Sequence, residues 1–99
     1  MAVYATKEYE KWFRKLRDYQ ARVRIDSRIR ELDETGNAGD VEPVGEGISE
    51  LKFHFGPGYR VYYQRRGEDI ILLLLGGDKG SQSDDIAKAK RLAKDVRDD

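Results

Sequence analysis

Lys52, His54, Arg60 and Tyr62 recur at two-residue spacing in two neighbouring segments, and Lys79 follows a few residues beyond them. Such a set suits a phosphodiester. A guanidinium binds two phosphate oxygens through its planar fork, and an ammonium neutralises charge that grows in a transition state. His or Tyr can move protons, and Tyr can also stack on a base. RNA needs no protein nucleophile, because its own 2′-OH can attack the adjacent phosphorus.

The elements that must position these residues are legible from periodicity. From Ile48 to Phe55 the chain alternates, with Leu51, Phe53 and Phe55 on one face and Glu50, Lys52 and His54 on the other, as in a half-buried strand. Gly56-Pro57-Gly58 forms a turn. Tyr59 to Arg65 is the returning strand, with Arg60, Tyr62 and Gln64 on one face and Val61 and Tyr63 on the other. If these strands pair, Lys52, His54, Arg60 and Tyr62 project from one side, and Lys79 reaches the same surface from the end of the next strand. A solvated face laced with cross-strand ion pairs has the same pattern, so both readings stand at this level.

Around this hairpin the sequence predicts an order (β)ααβββα. Val3 and Tyr4 fit a short strand, and Thr6 is a good N-cap. Tyr9, Trp12, Phe13 and Leu16 form an amphipathic stripe that reads as core packing. Asp18 caps a second helix with an apolar face of Ala21, Ile25, Ile29 and Leu32, ended by the Gly-rich and Asn-containing segment 35–40. With almost no linker, the two helices should pack as an αα-hairpin. Residues 40–47 read as an acidic loop. Ile70 to Leu75 is continuously apolar, the mark of a strand covered on both faces. Gly76 to Gly80 breaks that strand, and Ser83 caps a last helix with Ile86, Ala89, Leu92, Ala93 and Val96 on its apolar face. The fold class expected is α+β, a helical hairpin on a small, mainly antiparallel sheet with a C-terminal helix, in a single domain over residues 1–99.

Composition narrows the chemistry. Among 99 residues there is no Cys and one His, which excludes disulfides, thiolate metal sites, a Cys nucleophile and a His-rich metal site. A chain this short buries one modest core and has little room for an enclosed cofactor pocket. Neither a metal nor a cofactor is expected. Gly76-Gly77-Asp78-Lys79-Gly80-Ser81 lacks the spacing of a P-loop. No apolar run approaches a membrane span and the start lacks a signal-peptide pattern, so a cytoplasmic protein is expected. The 19 bases and 19 acids cancel to a formal net charge of zero, but they are segregated. Asp40, Glu42, Glu46 and Glu50 occupy residues 35–50 without a base, whereas Lys52, Arg60, Arg65 and Arg66 occupy 51–66 without an acid.

Four runs in this order resemble a known family: Gly47-Ile48-Ser49-Glu50-Leu51-Lys52, Gly58-Tyr59-Arg60-Val61-Tyr62-Tyr63, Leu74-Leu75-Gly76-Gly77-Asp78-Lys79, and Gln82 with Asp85, Ile86 and Ala89. Together with Trp12-Phe13 and the acidic loop, they resemble the HigB-like addiction module killer branch of the RelE/ParE toxins over roughly residues 4–97. The resemblance implies a RelE/ParE-like fold and a toxin of a type II toxin–antitoxin pair. It implies a metal-independent endoribonuclease that cuts mRNA at the ribosome with the 2′-OH as nucleophile. By that resemblance Arg60 binds the scissile phosphate, Lys52, His54 and Lys79 complete the catalytic set, and Tyr62, Arg65 and Gln82 contact RNA or scaffold the site. It also implies three partners: the ribosome, mRNA and a cognate antitoxin, expected to be a helix-turn-helix DNA-binding protein. A gyrase-inhibiting ParE-like toxin, or an inactive relative that mainly binds its antitoxin, remains open on the same scaffold.

Overall fold

The computed structural model describes residues 2–96. Its elements are β1 (Ala2–Ala5), α1 (Lys7–Lys15), α2 (Tyr19–Thr35), β2 (Val41–Gly45), β3 (Ile48–Lys52), β4 (Tyr59–Arg66), β5 (Ile70–Asp78), a 3-10 turn (Lys79–Ser81) and α3 (Gln82–Asp95). The five strands form one sheet in the order β1-β5-β4-β3-β2, antiparallel except for the parallel β1–β5 pair. The expected α+β architecture is present.

Both faces of the sheet are covered. On one face, Tyr9, Ile25, Ile29 and Leu32 of α1 and α2 pack on Leu51, Val61, Ile71 and Leu73. On the other, Ala89 of α3, supported by Ile86 and Leu92, packs on Ile48, Tyr62, Leu72 and Leu74. Burying each such aliphatic side chain contributes about 1.5–3 kcal/mol, which is why the unbroken apolar run of β5 lies inside the sheet with a helical layer on either side.

Local signals set the helix ends. The Thr6 hydroxyl accepts from the Tyr9 amide at 3.0 Å and donates to the Leu74 carbonyl at 2.7 Å, so one buried side chain caps α1 and pins it to β5. Asp18 caps α2 through the Ala21 amide, and Gly36 ends that helix with a left-handed φ of 75°. At the far end, Arg66 donates to the carbonyls of Ala93 and Val96 and closes the last turn of α3.

Four sequence expectations are corrected. Residues 41–45 are an edge strand rather than a loop. The two-residue link Glu46-Gly47, with φ of 55° and 76°, makes the positive-φ hairpin turn that matches strand twist. Its Pro43 and acids are residues an edge tolerates and uses against further pairing. The alternation after Ile48 ends as strand at Lys52, although the Phe53 amide still donates to the Tyr59 carbonyl at 3.0 Å. The glycines 76 and 77 do not break β5, which continues to Asp78. Finally, α3 begins at Gln82 rather than after Ser83. The preceding turn is capped by Asp78, whose carboxylate accepts from the amides of Gly80 and Ser81.

Candidate active site

Register across the sheet fixes the neighbours of Arg60. It lies opposite Lys52 on β3 and opposite Gly77 on β5, and Tyr62 lies opposite Glu50. Because α3 covers this face, its polar residues are interior. Tyr62 and Glu50 are 0 % exposed and Arg60 is 7 % exposed. The expectation of an open polar face carrying both Arg60 and Tyr62 is therefore corrected: the third helix lies over it.

A buried arginine must be satisfied or its fold is destabilised. Nη1 of Arg60 donates to the carbonyls of Gly58 at 3.2 Å and Tyr59 at 3.1 Å, while Nε lies 4.0 Å from a Glu50 carboxylate oxygen. That same oxygen accepts from the Gln82 amide nitrogen at 2.8 Å. Glu50 thus stands between the guanidinium and the first residue of α3. The Tyr62 hydroxyl is held well above its ordinary pKa by burial and by the adjacent Glu50 carboxylate, so it stays protonated throughout the physiological range. Gln82 therefore ties the start of α3 to Glu50.

Lys79 comes to Arg60 through a glycine. Gly58 has φ of 76°, and a Cβ built there would lie 3.3 Å from Lys79 Cβ and 3.7 Å from Arg60 Nη1. The missing side chain at Gly58 is what leaves room there for both the Lys79 stem and the Arg60 guanidinium. Lys79 itself is exposed. At this end of the sheet, then, Lys52, Arg60 and Lys79 belong to three consecutive segments beside one turn.

His54 is placed differently. Beyond the end of β3, its Nε2 pairs with the Asp40 carboxylate, and it is largely exposed. With Lys52 it lines a groove of about 480 Å³ whose other wall is Val23, Arg24 and Arg28 of α2. Arg28 organises this groove. It donates to the carbonyls of Ala38, Asp40 and Lys52, and its guanidinium stacks 4.4 Å from the Phe53 ring centroid. The hydrogen bond from His54 leads the causes that hold the Asp40 carboxyl below the usual carboxylate range. Lys52 is ion-paired to Glu42 at 2.5 Å, which raises its ammonium pKa and keeps it charged.

Arg65 stands apart. It lies five residues along β4 from Arg60, roughly 16 Å at strand rise, on the opposite face by alternation, and it donates to the Gly36 carbonyl at the end of α2. The residues that sequence reasoning missed are Glu50, which holds Arg60, and Asp40 and Arg28, which hold His54. Glu50 had a signal, since it alternates in phase with Lys52; the other two depend on packing of a loop against α2.

Asp85, on the first turn of α3, is a further titratable group at this edge. Its carboxylate accepts from the Ser81 hydroxyl at 2.5 Å and lies directly on the Gly77 backbone. Burial raises its pKa, with the Ser81 bond acting the other way. A carboxyl whose folded pKa is raised stabilises the fold fully below its unfolded value and loses that contribution as pH rises through the folded one. Over a pH range that begins at about 4 and extends upward through the raised folded value, the wild-type chain should therefore lose stability relative to Asp85→Asn. Denaturation midpoints measured across that range check this, and parallel curves for the two proteins would refute it.

Comparison with known proteins adds a relative and a fold. No known family profile matches the chain. It is 41% identical over 91 residues to an uncharacterized protein of Haemophilus influenzae, across 92% of this chain and 91% of that protein. The two chains belong to one family. Among solved structures, the fold is similar to a double mutant of the E. coli toxin RelE in the free state, with a TM-score of 0.71, 18% identity and 96% of each chain covered. It is also similar to a chain of the intact E. coli RelBE toxin–antitoxin complex, with a TM-score of 0.65 and 20% identity, covering 77% of this chain and 93% of that one. The fold is RelE-like. In this RelE-like fold, no helix among the described residues is long and apolar enough to cross a membrane.

Proposed function

We propose that this chain is the toxin of a type II toxin–antitoxin pair in the HigB-like branch of the RelE/ParE toxins, a ribosome-dependent mRNA endoribonuclease. The observation that carries the reading is that the Arg60 guanidinium and the stem of Lys79 both pack against Gly58, with Lys52 in register beside Arg60, on a RelE-like fold. Three cations at one sheet end suit a phosphate whose charge increases during reaction. The RNA 2′-OH attacks the adjacent phosphorus, the bond to the 5′-oxygen breaks, and the products are a 2′,3′-cyclic phosphate and a 5′-hydroxyl. Arg60 and Lys79 stabilise the pentacoordinate phosphorus. His54, oriented by Asp40, exchanges protons with the entering and leaving oxygens, and Lys52, held charged by Glu42, adds positive charge beside them.

Tyr62 and Arg65 do not enter this proposal as RNA contacts, because the first is 0 % exposed under α3, where Arg60 keeps 7 % at the sheet end, and the second lies far along β4. The partners proposed are the ribosome with its mRNA and a cognate helix-turn-helix antitoxin. The solved RelBE pair supports an antitoxin as the natural complement of such a fold.

The test is cleavage of a defined mRNA on purified ribosomes, mapped by primer extension. Wild-type chain should cut within the A-site codon. Lys79→Ala, an exposed change, should slow cutting by roughly a hundredfold while melting like wild type. Arg60→Lys, which keeps charge but loses the fork, should slow it at least as much. No cutting by folded wild-type chain freed of antitoxin sinks the nuclease reading, and DNA damage signalling in its place would favour gyrase as the target.

A further inference from the structure

The ion pairs of this chain are unevenly placed. Lys52 is paired to Glu42, and Lys90 and Lys94 lie 3.7 Å and 3.5 Å from Glu46. All three lysines are on the side of the molecule nearest β2. On the opposite side, where β1 ends at Ala5 and leaves the last part of β5 unflanked, a cleft of about 510 Å³ opens between α1 and α3. Lys7, Lys11, Lys15 and Lys88 line it, together with Trp12. Among the described residues, none of these four ammonium groups is ion-paired with a carboxylate. Glu8 and Asp85 also line the cleft, so four cations face two acids.

This arrangement does not serve the fold. Lys7, Lys11 and Lys15 are spaced at i, i+4 and i+8 on one helix, where like charges repel by a few tenths of a kcal/mol per pair. Lys7 also sits in the first turn of α1, where the helix dipole disfavours a cation. Four residues of helix rise about 6 Å, a step comparable to that between neighbouring phosphates of an extended nucleotide strand. Trp12, half-buried with its ring against Gly76 and Tyr9, still lines the cleft, and the ring surface left accessible there is one on which a base can stack. The floor of the cleft includes Gly76, and the next residue, Gly77, is the register partner of Arg60.

We infer that the cleft between α1 and α3 is a binding track for a single RNA strand, with Lys7, Lys11, Lys15 and Lys88 holding successive phosphates and Trp12 stacking on a base. The track leads along β5 toward Arg60. The choice of RNA over another polyanion rests on the nuclease reading above, together with the aromatic floor and the repeat of the lysines. It is a different surface from the Arg60, Lys52 and Lys79 set.

The test separates binding from cleavage by using a 2′-O-methylated single-stranded oligonucleotide, which has no free 2′-OH. Trp12 is the only tryptophan, so its fluorescence reports on the cleft directly. The full-length chain should quench on titration, and the logarithm of its affinity should fall with the logarithm of salt with a slope of about −3, from four contacts at about 0.7 each. The triple variant Lys7→Gln/Lys11→Gln/Lys15→Gln should bind roughly tenfold or more weakly, with a slope shallower than about −1. Lys94→Gln, on the other side, should leave both unchanged. Absence of quenching in wild type, an unchanged slope in the triple variant, or equally tight binding of a polyglutamate peptide would overturn the inference. Ribosome cleavage failing while this binding persists would remove the nuclease reading and leave the track standing.

Discussion

Gly76→Ala is expected to destabilise the chain by about 3 kcal/mol, at the upper end of overpacking costs, and to lower its Tm by roughly 15 °C. A Cβ at residue 76 would lie 2.0 Å from the Trp12 ring, and three ring atoms lie within 2.3 Å of that position. The backbone at Gly76 is ordinary strand, so the cost is steric and not conformational. Trp12 cannot swing away freely, because Tyr9 packs against it at 5.7 Å and Tyr59 meets it edge-on at 6.3 Å. Combining Gly76→Ala with Trp12→Leu should recover part of the loss, with a coupling above about 1 kcal/mol in a double-mutant cycle. Additive effects would show that the ring and the glycine do not meet. The same contact places α1 over β5, so loss of Gly76 is expected to disturb the lysine cleft too.

The second large effect concerns Glu50. Removing one partner of a buried ionic contact leaves an uncompensated charge, so Glu50→Ala should cost roughly 3 kcal/mol. Glu50 also accepts from Gln82, so the variant should loosen the start of α3. Replacing both partners, as Glu50→Leu/Arg60→Met, should restore most of the stability, because an apolar pair of similar volume suits the interior. It should not restore cleavage. Chemical denaturation and primer extension on the same proteins separate these outcomes. If the double variant melts like wild type and still cuts mRNA, Arg60 has no part in the chemistry and the proposed site fails.

The two variants test different halves of the same sheet end. Gly76 faces α1 and Gly77 faces α3, where an added Cβ would lie 1.9 Å from the Asp85 carboxylate. Successive glycines on a strand point to opposite faces, and here each lets a helix approach. In the sequence the pair resembles a strand break, because glycine lacks the side chain that strand patterns are read from. The contacts show the reverse: the strand continues, and the missing side chains are filled by Trp12 and Asp85.

What the sequence determined by itself was whatever periodicity and caps encode. The stripe of Tyr9, Trp12 and Phe13, the Thr6 and Asp18 caps, the alternation around Leu51 and the apolar run of β5 each follow from side-chain spacing on a helix or strand. That β3 and β4 pair was legible too, but their register was not: strands running up to the Gly-Pro-Gly turn would set His54 opposite Arg60, whereas β3 ends at Lys52 and Lys52 is the partner of Arg60. Only the tertiary structure decided what covers each face. Alternation marks a polar side and cannot say whether solvent or α3 lies over it, so Glu50, Arg60 and Tyr62 read as exposed and are buried. The edge strand β2 was hidden because its acids and proline carry loop chemistry, while its pairing depends on β3 being beside it. The unpaired lysines of the cleft were likewise invisible, since a net charge of zero records how many charges there are and not which acids they reach.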